Sequence, residues 1–400
     1  MKKALLAFSL SILFVFPWCP DTLRSPLAPA GQVHAQSLLR KVGTFIDSMS
    51  VRGVDRSYID APKQPWQIIL KGNTGQTDVK MVSNVDISKI FTDMSGNWQM
   101  DTRIKSVPTG NVGLWVGYRG YGIGYSADVG HDRGFKLTLG ATGGSYGINI
   151  RFHNFDTDES DIHYTSDIDG EHYEEVGMER LEAPIKVKTV IADGYYMFNG
   201  KHFSYAAAYD QSVVQLRSAG SIVAGGMYYY AHINYATPRN VGFIIDMGDV
   251  GRLKQWQGSI GAGYAYNYVP ARGWLVSAMA MPMLTFYNRL KIWRYDSNLG
   301  DYLVDILDLE YKYQHGMISE TEYNSMSEEI INKIEIHEYE ASSHDSKLKV
   351  NFDARLSVTY QWSRYFVNAY GQFNTFRYGH DDTSGRLNDW YVNASFGVRL

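Results

Sequence analysis

An unbroken alternation of apolar and polar residues runs from Lys347 to Trp362, and it constrains the fold more than any other feature of the sequence. The apolar face consists of Leu348, Val350, Phe352, Ala354, Leu356, Val358, Tyr360 and Trp362. The polar face consists of Lys347, Lys349, Asn351, Asp353, Arg355, Ser357, Thr359 and Gln361. Because side chains of a β-strand alternate between its two faces, the run predicts a strand about three times the usual 5–6 residues. Lipid on one face and water on the other would require this pattern.

Similar but shorter alternating segments recur along the chain, among them 112–118, 121–127, 256–268 and 390–400. Mean hydropathy is −0.28, and beyond the N-terminus no apolar run approaches the ~20 residues that a spanning helix needs. Aromatic residues make up 14% of the chain, which suits the aromatic girdles of membrane barrels. The sequence therefore predicts an all-β fold, a transmembrane antiparallel up-and-down β-barrel in a bacterial outer membrane.

The connections between these segments alternate between short turns and long stretches at 154–184, 233–254, 289–345 and 379–388. Short periplasmic turns and long extracellular loops are typical of such barrels. Counting back from the C-terminus gives about eleven strands down to residue 109, and one more from 66–85 makes twelve. Fourteen strands are the alternative, if 66–72 and 78–85 span separately and 241–246 is also used.

Two local features modify this pattern. The strand that starts at Ile185 loses its phase near Ala192 and Asp193, and a β-bulge is the expected cause. In the long loop 289–345, Ser319 and Glu322 have the spacing of a helix capping box. This loop is therefore predicted to carry a small helical insert.

The N-terminus is typical of a secretory signal peptide, with Lys2 and Lys3 before an apolar core and Val33-His34-Ala35 as a cleavage site. We expect residues 1–35 to be the signal peptide, 36–64 a periplasmic lead-in and 65–400 the barrel. The single Cys, Cys19, lies in the leader, so no disulfide is expected in the mature chain. A formal net charge of −4 argues against a nucleic-acid partner. No cofactor is expected, and the expected partners are outer-membrane lipid and a small solute.

From Val112 onward the chain resembles the outer-membrane barrel family called domain of unknown function 4421. The residues that carry the resemblance are Gly113-Leu114-Trp115-Val116-Gly117-Tyr118-Arg119-Gly120, Gly124-Tyr125-Ser126, Phe135-Lys136-Leu137, Tyr146-Gly147-Ile148 and the block from Phe198 to Ser221. The similarity covers most of the mature chain. It implies the fold and the outer-membrane location, and it implies no activity.

The block from Phe198 to Ser221 is rich in polar groups, and it supplies the candidates for a constriction or binding site in the lumen: Lys201, His202, Ser204, Gln211, Gln215 and Arg217. The alternative is a packed inward segment whose polar groups bond to charges in the lumen. Asp353, Arg355 and Arg399 join the candidates from the predicted inward faces. Other expected inward cations are Lys136, Arg151, Lys186, Lys188 and Lys349. Excess positive charge in a pore favours anions, whereas a charge network that fills and blocks the bore fits the sequence equally well.

Two further kinds of site are weaker predictions. The acidic stretch 154–184 offers Asp167, Asp169 and Glu171 as ligands for Ca²⁺ or Mg²⁺, but only part of a calcium loop is present, so a hydrated surface loop is the simpler interpretation. A lipid- or lipopolysaccharide-modifying enzyme is the alternative function. Ser221, His232 and His380 are available for it, although no spacing joins them to an orienting acid.

Overall fold

A computed structural model describes residues 53–86, 97–106, 109–129, 133–168, 171–246, 249–346, 348–380 and 383–400. All of them lie within one unit, Ser48–Leu400. The expected signal peptide at 1–35 and most of the expected lead-in at 36–64 fall outside the described residues, and both stay predictions.

Strands dominate the described residues. They are β1 (Ile59–Asp60), β2 (Trp66–Asp86), β3 (Asn97–Ser106), β4 (Thr109–Tyr118), β5 (Tyr121–Val129), β6 (Arg133–Thr142), β7 (Tyr146–Ile168), β8 (Glu171–Met197), β9 (Val214–Gln215), β10 (Ala219–Asn234), β11 (Val250–Tyr268), β12 (Trp274–Ser297), β13 (Ile336–Asp345), β14 (Lys349–Trp362), β15 (Tyr365–His380) and β16 (Thr383–Arg399). The helices are α1 (Tyr205–Tyr209), a 3-10 turn (Pro238–Asn240), α2 (Val241–Asp246), α3 (Leu299–Gln314) and α4 (Glu320–Ile331).

All strands other than β1, β3, β9 and β13 form a closed antiparallel barrel, which confirms the predicted fold with twelve strands among the described residues. Each barrel strand pairs with the next barrel strand along the chain, and β16 pairs with β2 to close the cylinder. Closure satisfies the backbone hydrogen bonds of every wall strand, as the bilayer interior requires. The alternative of fourteen strands is wrong, because residues 66–86 form one strand and 241–246 lie in α2.

Strand β14 has the two faces that its sequence predicts. Val350 and Leu356 point outward with 57% and 55% of their surface exposed, while Asp353, Arg355 and Ser357 point inward and are buried. An apolar outer face around a charged interior is the reverse of a soluble barrel. It is the arrangement of a barrel whose wall contacts lipid.

Exposed aromatic side chains lie on either side of the middle of the apolar outer surface. Trp274 and Trp362 are exposed where the strands meet the short turns, and Phe286 and Phe352 are exposed further along the same two strands. Phe352 and Trp362 stand ten residues apart on β14, within the 9–11 residues that a tilted strand needs to cross the hydrocarbon layer. Leu356 therefore lies near the middle of the lipid-facing surface.

The chain is extended in two places where loops were expected. The prediction of a loop at 154–184 is wrong, because β7 and β8 continue as a paired hairpin through most of this stretch. The expected loop at 379–388 is likewise replaced by continued pairing of β15 with β16. Strand β3 joins this extension by pairing with β2 and with the far half of β7. Polar residues suggest a loop from sequence, but these segments are extended because their backbone N–H and C=O groups pair with a neighbouring strand.

The predicted bulge at Ala192–Asp193 is also wrong. The described pairings of β8 keep their register there, and the shift against β7 lies at Thr157 and Glu159 instead. Ile185 and Asp193 both lie on the inward face, so the lining changes from apolar to polar while the strand keeps its phase. The same correction places Lys186 and Lys188 on the outer face of β8, exposed and away from the lumen.

The helical insert in the long connection is confirmed as the hairpin α3–α4. Ser319 caps α4, since its hydroxyl accepts from the Glu322 backbone N–H at 3.3 Å, and Glu322 accepts from the Ser319 backbone N–H at 2.9 Å. The pKa of Glu322 is lowered chiefly by this backbone donor. The insert is shorter than the expected 289–345, because β12 and β13 occupy both of its ends. None of the described helices combines the length and apolar character needed to cross a membrane.

Candidate functional site

The connection between β8 and β10 folds into the barrel at the end that carries the short turns. This plug segment, residues 198–218, contains helix α1 and strand β9. The Ser204 hydroxyl accepts from the Ala207 backbone N–H at 3.1 Å and so caps α1. Three successive alanines follow Tyr205 and are buried, and their small side chains allow the helix to pack closely inside the wall. We refer to this end of the barrel as the short-turn end.

Charged and polar side chains of the wall hold the plug segment. Arg399 donates from Nε and Nη2 to the Gln211 carbonyl at 3.1 and 2.8 Å. Ser357 donates to the Ala208 carbonyl at 2.7 Å. All four residues are buried, so these bonds act where water does not compete. The end of α1 is thereby attached to β14 and β16.

Gln215 organises the other half of the plug segment. Its Nε2 donates to the carbonyls of His202 and Arg217 at 2.6 and 2.9 Å. Its Oε1 accepts from the Ser204 backbone N–H at 3.0 Å and from Asn267 Nδ2 at 3.1 Å. Gln215 therefore connects both ends of the plug segment to strand β11.

The short-turn side of the plug segment is covered by residues that precede the barrel. Strand β1 pairs with β9, and Asp55 lies 3.5 Å from His202 Nε2. The Tyr58 ring packs on His202 with centroids 4.4 Å apart, and Arg217 stacks over the Tyr58 ring at 5.6 Å. The pKa of Asp55 is lowered mainly because the Ser57 backbone N–H and hydroxyl donate to its carboxylate, and His202 lowers it further.

Arg355 links the plug segment to the opposite wall. It donates from Nη1 to the Tyr205 hydroxyl at 2.7 Å and also contacts the Tyr195 hydroxyl. Its guanidinium forms ion pairs with Asp193 at 3.3 Å and with Asp353 at 3.4 Å. Strands β8 and β14 and helix α1 thus share one buried charge network that crosses the bore.

Above the plug segment the two sides of the lumen differ. The side formed by β8, β10, β11 and β12 is packed with apolar residues, among them Ile191, Met197, Val223, Met227, Tyr229, Met279, Met281 and Met283. Phe203 of the plug segment and Phe376 of β15 pack against them. The opposite side, formed by β2, β4–β7 and β14–β16, encloses a polar cavity of about 110 Å³ above α1. We call this cavity the chamber.

Glycines on β5 and β6 create space on the chamber side. The Trp115 ring lies flat against them, and a Cβ at Gly122, Gly124 or Gly140 would come within 2.6, 2.8 or 2.7 Å of its atoms. The Lys71 ammonium lies 4.5 Å from the centre of the same ring. A larger residue at any of these glycines would displace the tryptophan that forms the chamber wall.

The structure divides the predicted site residues into two groups. Ser204, Gln211, Gln215, Asp353, Arg355 and Arg399 surround α1 and are buried. Lys201, His202 and Arg217 lie instead on the short-turn side of the plug segment. Of the other expected inward cations, Lys136 and Arg151 line the chamber.

Sequence reasoning missed several chamber residues, namely Lys71, Trp115, Asn149, Asp193, Tyr205 and Tyr391. One signal was present in the sequence. Glycines alternate with larger residues through Gly122 and Gly124, which indicates a wall that leaves room on one face.

The enzyme candidates do not come together. Ser221 is buried at the short-turn end, where its hydroxyl donates to the Ile222 carbonyl and accepts from Asn199. His232 lies eleven residues further along the same strand, about 36 Å away at 3.3 Å per residue. The side chain of His380 is not among those the structure describes. The two described candidates are too far apart for nucleophilic catalysis.

The weak metal candidates cannot be placed. Asp169 lies outside the described residues, and the side chains of Asp167 and Glu171 are not described. Where side chains are described, no group of three or more His, Cys, Asp or Glu residues is arranged to hold a metal ion.

The sequence profile of the family described as "Domain of unknown function (DUF4421)" matches residues 54–399. Comparison with curated proteins gave no match.

Several solved outer-membrane proteins are similar in fold. The translocator domain of the autotransporter NalP from Neisseria meningitidis is 10% identical, with 92% of this chain and 97% of that chain covered and a TM-score of 0.28. The outer membrane protease OmpT from Escherichia coli is 7% identical, with 84% and 97% covered and a TM-score of 0.34. The β domain of the Bordetella autotransporter BrkA is 10% identical, with 82% and 99% covered and a TM-score of 0.29. At these values the similarity carries no argument about function.

Proposed function

The chain belongs to the family described as Domain of unknown function (DUF4421), and we propose that it is an outer-membrane barrel that transports a small solute and is closed at rest by its plug segment. The family assigns no activity, so the proposal depends on the lumen. One observation carries it: a polar chamber with several cations lies directly above a plug that is attached by side-chain contacts. A barrel with a purely structural role needs no such space, because packed side chains can fill a small bore.

The attachments of the plug segment suit a gate. The chain has a single cysteine, Cys19, so no disulfide joins the plug segment to the wall. Hydrogen bonds that involve a charged group contribute about 1.5–3 kcal/mol each. A few such bonds keep an equilibrium on the closed side and still permit opening when a solute or partner favours the open state.

A permanently closed, structural envelope barrel is the second candidate. The buried network around Arg355 favours it, because charges that are paired across the bore resist rearrangement. The enzyme alternative is not favoured, since Ser221 and His232 lie far apart on β10.

We expect Arg399→Met to open the barrel. The variant removes three hydrogen bonds from the guanidinium, two to the Gln211 carbonyl and one to Gln361 Oε1 at 3.1 Å. Losing about 1.5–3 kcal/mol from the closed state should raise the open probability about tenfold or more. Single-channel recording in planar bilayers measures this, with the wild-type chain expected to be closed most of the time.

Arg364→Met is the matched control, since this arginine lies in the exposed turn between β14 and β15 at the same end of the barrel. It should conduct like the wild type. A second variant, with residues 203–213 replaced by a Gly-Ser linker, should conduct continuously. If the linker variant folds and stays closed, the plug segment is not the gate and the structural role is correct. A large steady wild-type current would also contradict the proposal.

A further inference from the structure

Two lysine ammonium groups face the chamber without an ion-pair partner at close range. Lys71 Nζ has the Trp115 ring as its contact at 4.5 Å, and Lys136 Nζ lies 5.7 Å from the centre of the Tyr391 ring. In the described part of the chain neither forms an ion pair within 4.0 Å. A cation in an enclosed space costs free energy unless an anion or water compensates it.

Carboxylates attract the two lysines only from beyond ion-pair distance: Asp210 acts on Lys71, and Asp128 and Asp389 act on Lys136. Asp193 is shared by two arginines, Arg151 and Arg355, each at 3.3 Å. Asp210 accepts from the Thr142 hydroxyl at 3.0 Å. Arg151 has a further buried donor, Nε, without a hydrogen-bond partner among the described residues. Four cations and two carboxylates line the chamber, and Asp353 behind this lining pairs with Arg355. Both arginines therefore have ion-pair partners, whereas the two lysines have none within 4.0 Å among the described residues.

We propose that the chamber binds a small oxyanion, either as free phosphate or as the phosphate or carboxylate group of a larger solute. This inference deepens the proposed transport role and rests on it for its biological meaning. A volume of about 110 Å³ has room for several water molecules or one group of that size. Lysine binds phosphate as a compact point charge, and low dielectric inside the barrel strengthens the attraction.

Neutral donors around the two lysines fit the same ligand. The hydroxyl of Tyr391 and the amides of Asn73 and Asn393 line the chamber. Hydroxyl and amide groups donate hydrogen bonds to the oxygens of an anion that lysine alone would not orient. The opposite side of the lumen is packed with apolar side chains, and hydroxyls there, such as those of Ser259 and Thr285, bond to each other. The proposed binding site is therefore on the chamber side of the bore.

Calorimetric titration of the refolded full chain in detergent micelles tests the inference. The probes are inorganic phosphate, acetate, glycerol 3-phosphate and, as a neutral control, glycerol. Phosphate is expected to bind, and Lys71→Met and Lys136→Met should each raise its dissociation constant about tenfold, the loss of one charge-assisted contact. Stronger binding of glycerol 3-phosphate than of phosphate would identify an esterified solute, and stronger binding of acetate a carboxylate.

Lys188→Met is the matched control, because Lys188 is exposed on the outer face of β8. It should bind phosphate like the wild type. The inference is overturned if the folded wild-type chain binds none of the anions, or if the double variant at Lys71 and Lys136 binds them unchanged. Far-ultraviolet circular dichroism establishes that each variant is folded. The titration measures binding and the bilayer recording measures current. Failure of the anion site and failure of the proposed gate can therefore be distinguished.

Discussion

Leu356→Arg should lower the free energy of unfolding by about 2–4 kcal/mol, the cost of an arginine at the bilayer midplane. Leu356 is 55% exposed on the outer face of β14, and it lies between the exposed rings of Phe352 and Trp362 on that face. Lipid surrounds the side chain at this position. The guanidinium of the variant would therefore lose its hydration without gaining a partner. Denaturant unfolding in lipid vesicles, followed by tryptophan fluorescence, measures the change.

Leu348→Arg is the control with the same change of residue. Leu348 is 66% exposed and precedes β14 at its loop end, where an arginine costs only about 0–1 kcal/mol. Ser357 is unsuitable as an inward control, because it donates to the Ala208 carbonyl and packs under the plug segment. Equal destabilisation by arginine at Leu348 and Leu356 would mean that the outer face of β14 is not embedded in lipid.

The wall of the barrel could be predicted from the sequence because the alternation of side chains depends only on residues that are neighbours along one strand. The alternation from Leu348 to Trp362 follows from the geometry of one strand between two solvents. The turn at Arg119 and Gly120 is local in the same way, with both residues at positive φ. Strand number and direction then followed from counting short and long connections.

The contents of the barrel could not be predicted, because they depend on contacts between distant parts of the chain. The alternating pattern gives no sign that Tyr205 in the plug segment would meet Arg355 from β14. Nor does it show that Trp115 would lie against glycines of two neighbouring strands. The polar stretch at 154–184 misled for a related reason, since its pairing with β3 and β8 is invisible in its composition.

The plug segment and the chamber share residues and hydrogen bonds. Helix α1 forms the floor of the chamber through Tyr205 and Tyr209, and the same Tyr205 hydroxyl accepts from Arg355 and from Asn149. A bound anion would contact Lys71 and Lys136. Its charge would change the electrostatic field that acts on Arg355 and Asp193. We therefore expect anion binding in the chamber to be coupled to the position of the plug segment. The anion would bind the open and closed states of the barrel with different affinities.

Arg355→Met should be the most damaging single change inside the barrel. It removes the cation shared by Asp193 and Asp353 and the donor to the hydroxyl of Tyr205. Breaking a buried ion pair by removing one partner costs about 3–5 kcal/mol, because the remaining charge is left uncompensated. The free energy of unfolding should fall by about this amount. The plug segment should also loosen, which single-channel recording would detect as longer openings.

Arg289→Met supplies the comparison for this prediction. Arg289 also pairs with an aspartate, Asp345 at 2.7 Å, but both side chains are exposed at 46% and 64%, and exposed pairs contribute little because water and salt screen them. The variant should unfold at the same denaturant concentration as the wild type and keep the wild-type current. If Arg355→Met were as harmless as Arg289→Met, the network across the bore would be hydrated and weak. The plug segment would then be held mainly by Arg399 and Ser357, at the end of α1 nearest the short turns.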